Sequence, residues 1–229
     1  MEQATGTKQR EKLSRDRVVE AALRIMDTEG LGAVTMRRVG RELGVEAMSL
    51  YNHVQDKDDL LDGIHEFVLS LFVDPGTEGP WEERARQAAR TWREVLRSHP
   101  NTVILMSESK GPGMTPGAIR PTEITLRLLR ETGLTEDDAV KAFCAFGGFI
   151  IGFVMFEIGM PHSTGSNAAE TPSPQQLTAA LPADEFPCFM ASLPYLMHGD
   201  IDQRFEYGLD LLLLGLRAKA QASTGSKAG

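Results

Sequence analysis

Cysteine is nearly absent from this chain of 229 residues: Cys144 and Cys188 are the two it has, and neither belongs to a C-x-x-C or Cys/His cluster. That excludes a disulfide framework and a structural zinc site and suits a reducing compartment. Aromatic residues make up 7%, too few for a sheet-rich chain, whereas Leu, Ala, Arg and Glu are plentiful and favour helix. No apolar stretch follows the opening residues, so no secretory signal is expected and the protein is read as cytoplasmic. Long hydrophobic runs are missing too. The longest uncharged one, 142–156, has 15 residues; as a helix it would span roughly 22 Å against the about 30 Å of a bilayer core, so a buried helix is expected. Catalytic signatures are also missing: there is no G-x-S-x-G, no H-E-x-x-H and no phosphate-cradling glycine loop. Glu108, Glu123, Glu157, Asp184, Glu185, Ser107 and Ser109 form no recognisable constellation. The chain is read as no enzyme, with no cofactor and no bound metal.

An excess of positive charge is absent from the whole, whose formal charge is −8, but the two ends differ. Residues 1–57 hold ten Lys/Arg against nine Asp/Glu, a net of +1, and the remaining residues hold 14 against 23, a net of −9. A locally basic head on an acidic body can still meet phosphate, because salt screens charge beyond about 8–10 Å.

Periodicity and cap residues predict an all-α chain with no strand. Ser14 caps a first helix bearing Val18, Ala21, Ala22, Ile25 and Met26, stopped at Gly30; Thr35 caps a second that ends at Gly44. Ala47–Val54 is a short third helix, and Asp56 opens a fourth. Further helices are expected over 81–97, 102–107, 121–132, from Thr135 through the uncharged run, and over 201–220. The domain division that follows is an arm (1–12), a head with its connecting helix (13–73), a larger helical body (74–220) and a flexible tail (221–229). The stretch 162–176, rich in Ser, Thr, Gly, Pro and Asn, reads as a loop.

Residues 35–54, TMRRVGRELGVEAMSLYNHV, carry the functional signal. Val39, Leu43, Val45, Leu50 and Val54 face inward, Gly40 is small where two helices meet, and Gly44 can take the left-handed conformation of a tight turn. The third helix is left with Ala47, Met48, Ser49, Asn52 and His53, a set able to meet base edges, while Arg37, Tyr51 and Lys57 flank it as phosphate donors. Residues 13–64 resemble the DNA-binding domain of the TetR family of bacterial repressors. The agreement rests on Glu29-Gly30, Thr35 with Arg37, Leu43-Gly44-Val45, Leu50-Tyr51-x-His53-Val54 and Lys57. The resemblance implies a three-helix helix-turn-helix domain with a connecting helix, and DNA contacts from Arg37, Ser49, Tyr51, His53 and Lys57; Thr35 joins them as a further candidate. Ala47, Met48 and Asn52 stand where the tetracycline repressor carries Gln, Pro and Trp, so its operator does not transfer.

The rest is more loosely similar to the tetracycline-repressor type of ligand-binding and dimerisation domain, through Arg97-Ser98-His99, Arg120-Pro121-Thr122-Glu123, Gly133 and Phe205-Glu206-Tyr207-Gly208-Leu209. The body has surplus large apolar side chains, Trp92, Met106, Met114, Leu129, Phe143, Phe146 and Ile150, and the resemblance implies that a small ligand binds among them, with Gly147 beside them and His99 as a polar contact. Met106 falls where the tetracycline repressor has its magnesium-binding histidine, so a metal–drug complex is not the expected ligand. Helices apolar on more than one face must be covered on more than one face. Gly148 and Gly152, with Leu209, Leu212, Leu213 and Leu216, are the expected dimer contacts. The resulting expectation is a homodimeric, ligand-responsive repressor on a palindromic operator, released by a small, largely apolar effector and without membrane association. The alternative is a helical carrier of apolar small molecules that does not read DNA.

Overall fold

The structure, a computed structural model, describes residues 12–108, 115–159, 176 and 181–225. It is all-helical over these residues, with ten α-helices and no strand. Local signals set the first four. α1 (Arg15–Glu29) starts at Ser14, whose hydroxyl accepts from the Arg17 amide, and stops at Gly30 with φ +88°. A single 3-10 turn, Leu31–Ala33, leads to Thr35, whose hydroxyl accepts from the Arg38 amide at 3.2 Å and opens α2 (Met36–Leu43). α3 (Ala47–Leu50) is one turn long, shorter than the expected 47–54, because His53 and Val54 both donate to the Leu50 carbonyl and close the chain into a turn. α4 (Lys57–Ser70) opens at Asp56, which accepts from the Asp59 amide, while Asp59 accepts from the Gln55 amide. The first bond satisfies one of the amides that a helix start leaves free, and the second ties the residue before the cap to the same turn.

α5 (Trp81–Ser98), α6 (Pro100–Glu108), α7 (Pro116–Arg130), α8 (Glu136–Gly159), α9 (Pro187–His198) and α10 (Ile201–Gly225) follow. Three of these depart from the sequence reading. α7 begins five residues before Pro121 and keeps that proline inside it, with Thr115 capping its start. α9 was not anticipated, the sequence reading having assigned no element between the 162–176 loop and the last helix; Pro187 sits in its first turn, where a proline costs little. α10 runs on to Gly225, into the stretch read as a tail. Residues 1–11 of the arm, Met114, and the 162–176 loop apart from Gln176 lie outside the described residues.

Packing divides the chain into two compact units, and not at one linear boundary. The first takes the residues up to Leu71 together with Asn101–Ile119; the second takes Phe72–Pro100 and the residues from Arg120 onward. In the first, α1 packs against α2 and α4 over Val18, Ala22, Ile25, Met26, Val39, Leu50, Leu60 and Ile64. Each large side chain so buried contributes about 1.5–3 kcal/mol. The later segment joins this unit by polar ties: Asn101 donates to the Met26 carbonyl at 2.8 Å and Thr115 to Glu66 at 2.6 Å.

His65 on α4 is buried, and its Nδ1 has no hydrogen-bond partner among the described residues. Burial pushes its imidazole pKa below the usual value, against a weaker upward pull from Asp62. A depressed folded pKa means that the unfolded chain binds the proton first. Stability is therefore full above about pH 6.5 and falls as the pH is lowered through and below it. Urea midpoints between pH 7.5 and 5 are expected to drop in the wild type and to flatten in His65→Leu.

In the second unit α5 packs on α8 and α8 on α10. Gly208 of α10 sits against the Phe149 ring so closely that a Cβ there would come within 2.5 Å of it. Along α5 and α10, Arg86 and Arg90 reach Glu206 and Arg217 reaches Glu82. These pairs are partly exposed to solvent and each adds little. Arg93 differs. It is buried, donates twice to Glu157 (2.5 and 2.8 Å) and once to Asp202 (2.6 Å), and lies 4.5 Å from the centroid of the Phe205 ring.

Candidate functional site

The turn between α2 and α3 is built on two glycines. Gly44 adopts φ +66°, ψ +36°, the left-handed region, and the Val45 amide returns to the Gly40 carbonyl at 2.9 Å. At Gly40 a Cβ would stand 2.9 Å from the Val45 carbonyl oxygen and 3.2 Å from the Ala47 nitrogen. Both neighbours are backbone, so they cannot swing aside, and α3 rests directly on α2. Gly40→Ala is expected to lower the thermal midpoint by roughly 3–10 °C, from the about 1–3 kcal/mol that overpacking costs. Gly32→Ala, where a Cβ meets nothing, is the control in the same melting experiment.

The far end of α3 is also held. Arg15 of α1 donates to the His53 carbonyl at 3.3 Å and makes a two-point pair with Asp59 at 2.6 and 2.9 Å. The guanidinium bond is the main reason the Asp59 carboxyl lies below the usual carboxylate range. Arg15 was legible in the sequence only as one more basic residue; here it joins α1 to the α3–α4 junction. Arg38 is likewise engaged, by Glu29 and Glu42.

Held this way, α3 presents a definite surface. Thr35, Arg37, Met48, Tyr51, Asn52 and Lys57 are exposed, whereas Ala47, Ser49 and His53 are half-buried. Arg37, Arg41 and Lys57 are exposed cations that form no ion pair among the described residues. The expected DNA residues thus fall on one short helix and its two shoulders: α2 carries Arg37, with Thr35 at its cap, and Lys57 opens α4.

The residues expected to line a pocket are placed less uniformly. Trp92, Leu129, Phe146 and Ile150 are buried in the second unit; His99, Phe143 and Gly147 are half-buried there, and half-buried Met106 belongs to the first unit. Trp92 packs edge-on against Phe72 at 5.8 Å. A groove of about 500 Å³ in the second unit is lined by none of them, but by Glu123, Leu126, Arg127, Arg130, Glu131, Glu136, Ala139 and Val140. Its charges are already answered by Arg127–Asp74, Arg84–Glu131 and Arg130–Glu136 pairs. Sequence reasoning also missed the aromatic cluster of Phe149, Phe153 and Phe205 around Arg93. The i, i+4 spacing of the first two was its only trace. Glu157, weighed from sequence as a catalytic acid, is held by Arg93.

α8 is less covered than the expected buried helix. It has 24 residues and is by length and composition apolar enough to cross a bilayer, and 28% of its most apolar window is buried. Gly148 and Gly152 are exposed, and a Cβ on either would meet nothing within 4 Å. They lie with Cys144, Met155 and Phe156 on one exposed stripe. On α10, Leu209, Leu213 and Leu216 turn into the protomer's own core and Leu212 is half-buried. The exposed apolar side chains there are Tyr207, Leu211 and Leu214.

Two short helices meeting at a glycine turn, with the second exposed between cations and a larger helical body following, define the class of helix-turn-helix DNA-binding regulators. Comparison with known proteins narrows the class. Residues 18–64 match the model of bacterial regulatory proteins of the tetR family, and residues 74–220 match that of the tetracyclin repressor-like C-terminal domain. The HTH-type transcriptional repressor DrrR1 of Streptomyces coeruleorubidus is 33% identical over 223 residues, covering 94% of this chain and 82% of that protein. ActR from Streptomyces coelicolor in complex with actinorhodin superposes with a TM-score of 0.76 at 31% identity, covering 91% of this chain and 99% of ActR. BioQ with its double-stranded DNA operator superposes at 0.63 and 25% identity, over 90% of this chain and 99% of BioQ. The chain belongs to the TetR family of bacterial transcriptional regulators, ligand-responsive proteins that bind DNA through the head just described.

Proposed function

We propose that the protein is a repressor acting as a homodimer on a palindromic operator and released by a small, largely apolar effector. The observation that carries this reading is the pairing of two exposed features: α3 between Arg37 and Lys57, and the apolar stripes of α8 and α10. A second copy is the natural cover for those stripes. The glycines at 148 and 152 let a partner helix approach closely, and Tyr207, Leu211 and Leu214 supply the apolar flank. Two heads then read half-sites about 34 Å apart, one helical turn of DNA. The repressor assignment follows DrrR1, and the operator assignment follows BioQ.

ActR's complex with actinorhodin supports a small-molecule site in the body. Trp92, Leu129, Phe143, Phe146 and Ile150 make the wall of such a site apolar, with His99 as a polar contact. The effector acts by binding one arrangement of the two heads better than the other, since equal affinity for both would shift nothing. Such a regulator works in the bacterial cytoplasm, where its operator DNA lies. Selection of random duplexes on the purified protein tests the reading. Enrichment of a palindrome by a protein that elutes as a dimer is the expected result. A folded protein that enriches no sequence would overturn it in favour of an apolar carrier.

A further inference from the structure

Between residues 12 and 71 two large apolar side chains are exposed, Met48 (75%) and Tyr51, and both are on or just after α3. Tyr51 has a hydroxyl with which to meet a phosphate or a base edge. Met48 has no donor and only a weak sulfur acceptor, so it makes no strong hydrogen bond to a base or a phosphate. Its backbone is nevertheless anchored on both sides. Ala47 before it rests on Gly40, and Leu50 two residues on is wholly buried. The position is therefore held on both sides while the side chain is left in water, in a surface that also carries Thr35, Arg37, Tyr51, Asn52 and Lys57.

In the major groove one base carries an apolar group on its edge. Guanine offers N7 and O6, adenine N7 and N6, cytosine N4, and thymine O4 with a 5-methyl group. An unbranched thioether is suited to lie along a methyl group, since it adapts to an apolar surface without needing a fixed rotamer. We infer that Met48 is a specificity-determining residue of the head, which seats its side chain on the 5-methyl group of one thymine in each operator half-site. This rests on the reading of the protein as a sequence-specific regulator.

The test replaces thymines by deoxyuridines, one symmetric pair at a time, in the duplex selected by the wild-type protein. Deoxyuridine removes the methyl group and leaves base pairing unchanged. Affinity is read by fluorescence anisotropy at fixed salt. One position is expected to lose about fourfold when a single half-site is changed and about fifteenfold when both are, the worth of one buried methyl each. Met48→Ala, folded by circular dichroism, is expected to bind the thymine and deoxyuridine duplexes equally and to match the wild type on the latter. A second selection with Met48→Gln is expected to move the preference at that position to adenine, which glutamine reads through N6 and N7.

A selected operator without thymine in its half-site, a flat deoxyuridine scan, or discrimination that persists in Met48→Ala overturns the assignment and leaves the regulator reading intact. A wild-type protein that enriches no duplex overturns both.

Discussion

Leu211→Glu combined with Leu214→Glu is expected to turn the proposed dimer into folded monomers and to weaken operator binding at least about a hundredfold. Both leucines are more than half exposed in the protomer, at 56% and 59%, so glutamates there remain solvated in the single chain and leave its helicity unchanged. In a dimer the same positions carry four unpaired carboxylates into an apolar contact, where desolvation opposes association strongly. A monomer reads one half-site only. It loses the gain that comes when the second head binds at the effective concentration set by the first, typically 10²–10⁴-fold. Sedimentation velocity and anisotropy on the same samples check the two halves of the expectation. Leu209→Glu with Leu213→Glu should behave differently: those side chains lie in the protomer's core, so the variant loses its fold. A Leu211/Leu214 variant that stays dimeric would remove α10 from the interface.

The second large effect lies at Arg93. Its partner Glu157 has a side chain only 6% exposed, and Arg93 supplies both of its close hydrogen bonds. Arg93→Ala strands that carboxylate in the core and is expected to cost about 3–5 kcal/mol in urea unfolding. Arg97, 4.0 Å away and half exposed, softens the loss without replacing the two-point pair. Asp202 is mostly exposed and is rehydrated instead. The penalty is one of desolvation, so removing both charges should largely undo it. Arg93→Met with Glu157→Leu is expected to recover most of the stability, whereas a loss equal to that of Arg93→Ala would mean that packing against Phe153 and Phe205 is what matters.

The head was legible in the sequence because its signals are local. Ser14, Thr35 and Asp56 each cap the helix that follows, and Gly30 and Gly44 each stop one by taking a positive φ. The body depends on contacts far apart in the chain, which leave little local trace. Arg93 and Glu157 are 64 residues apart, and nothing near either announces the other. Periodicity on α10 reveals two apolar stripes but does not say which one the protomer keeps for itself. Leu209, Leu213 and Leu216 were the more continuous stripe and are the ones the protomer buries. Gly148 and Gly152 were expected at a contact between subunits; the close approach inside one chain, Gly208 against Phe149, left no mark that the sequence reading used. A proline misled once: Pro121, read as a helix start, lies inside α7. Charge counting misled once: Arg15 and Arg38 raise the basic tally of the head, but carboxylates already hold them.

Because residues 101–119 belong to the head's unit while the chain on either side of them belongs to the other, the polypeptide crosses between the units three times. Exchanging operator specificity with a relative by cutting once near residue 73 would separate Asn101 from the Met26 carbonyl and Thr115 from Glu66 as they occur in one protein. A chimera that carries the donor's own equivalent of 101–119 along with its head keeps those pairs matched. The unit of exchange, and of co-inheritance, is a discontinuous one.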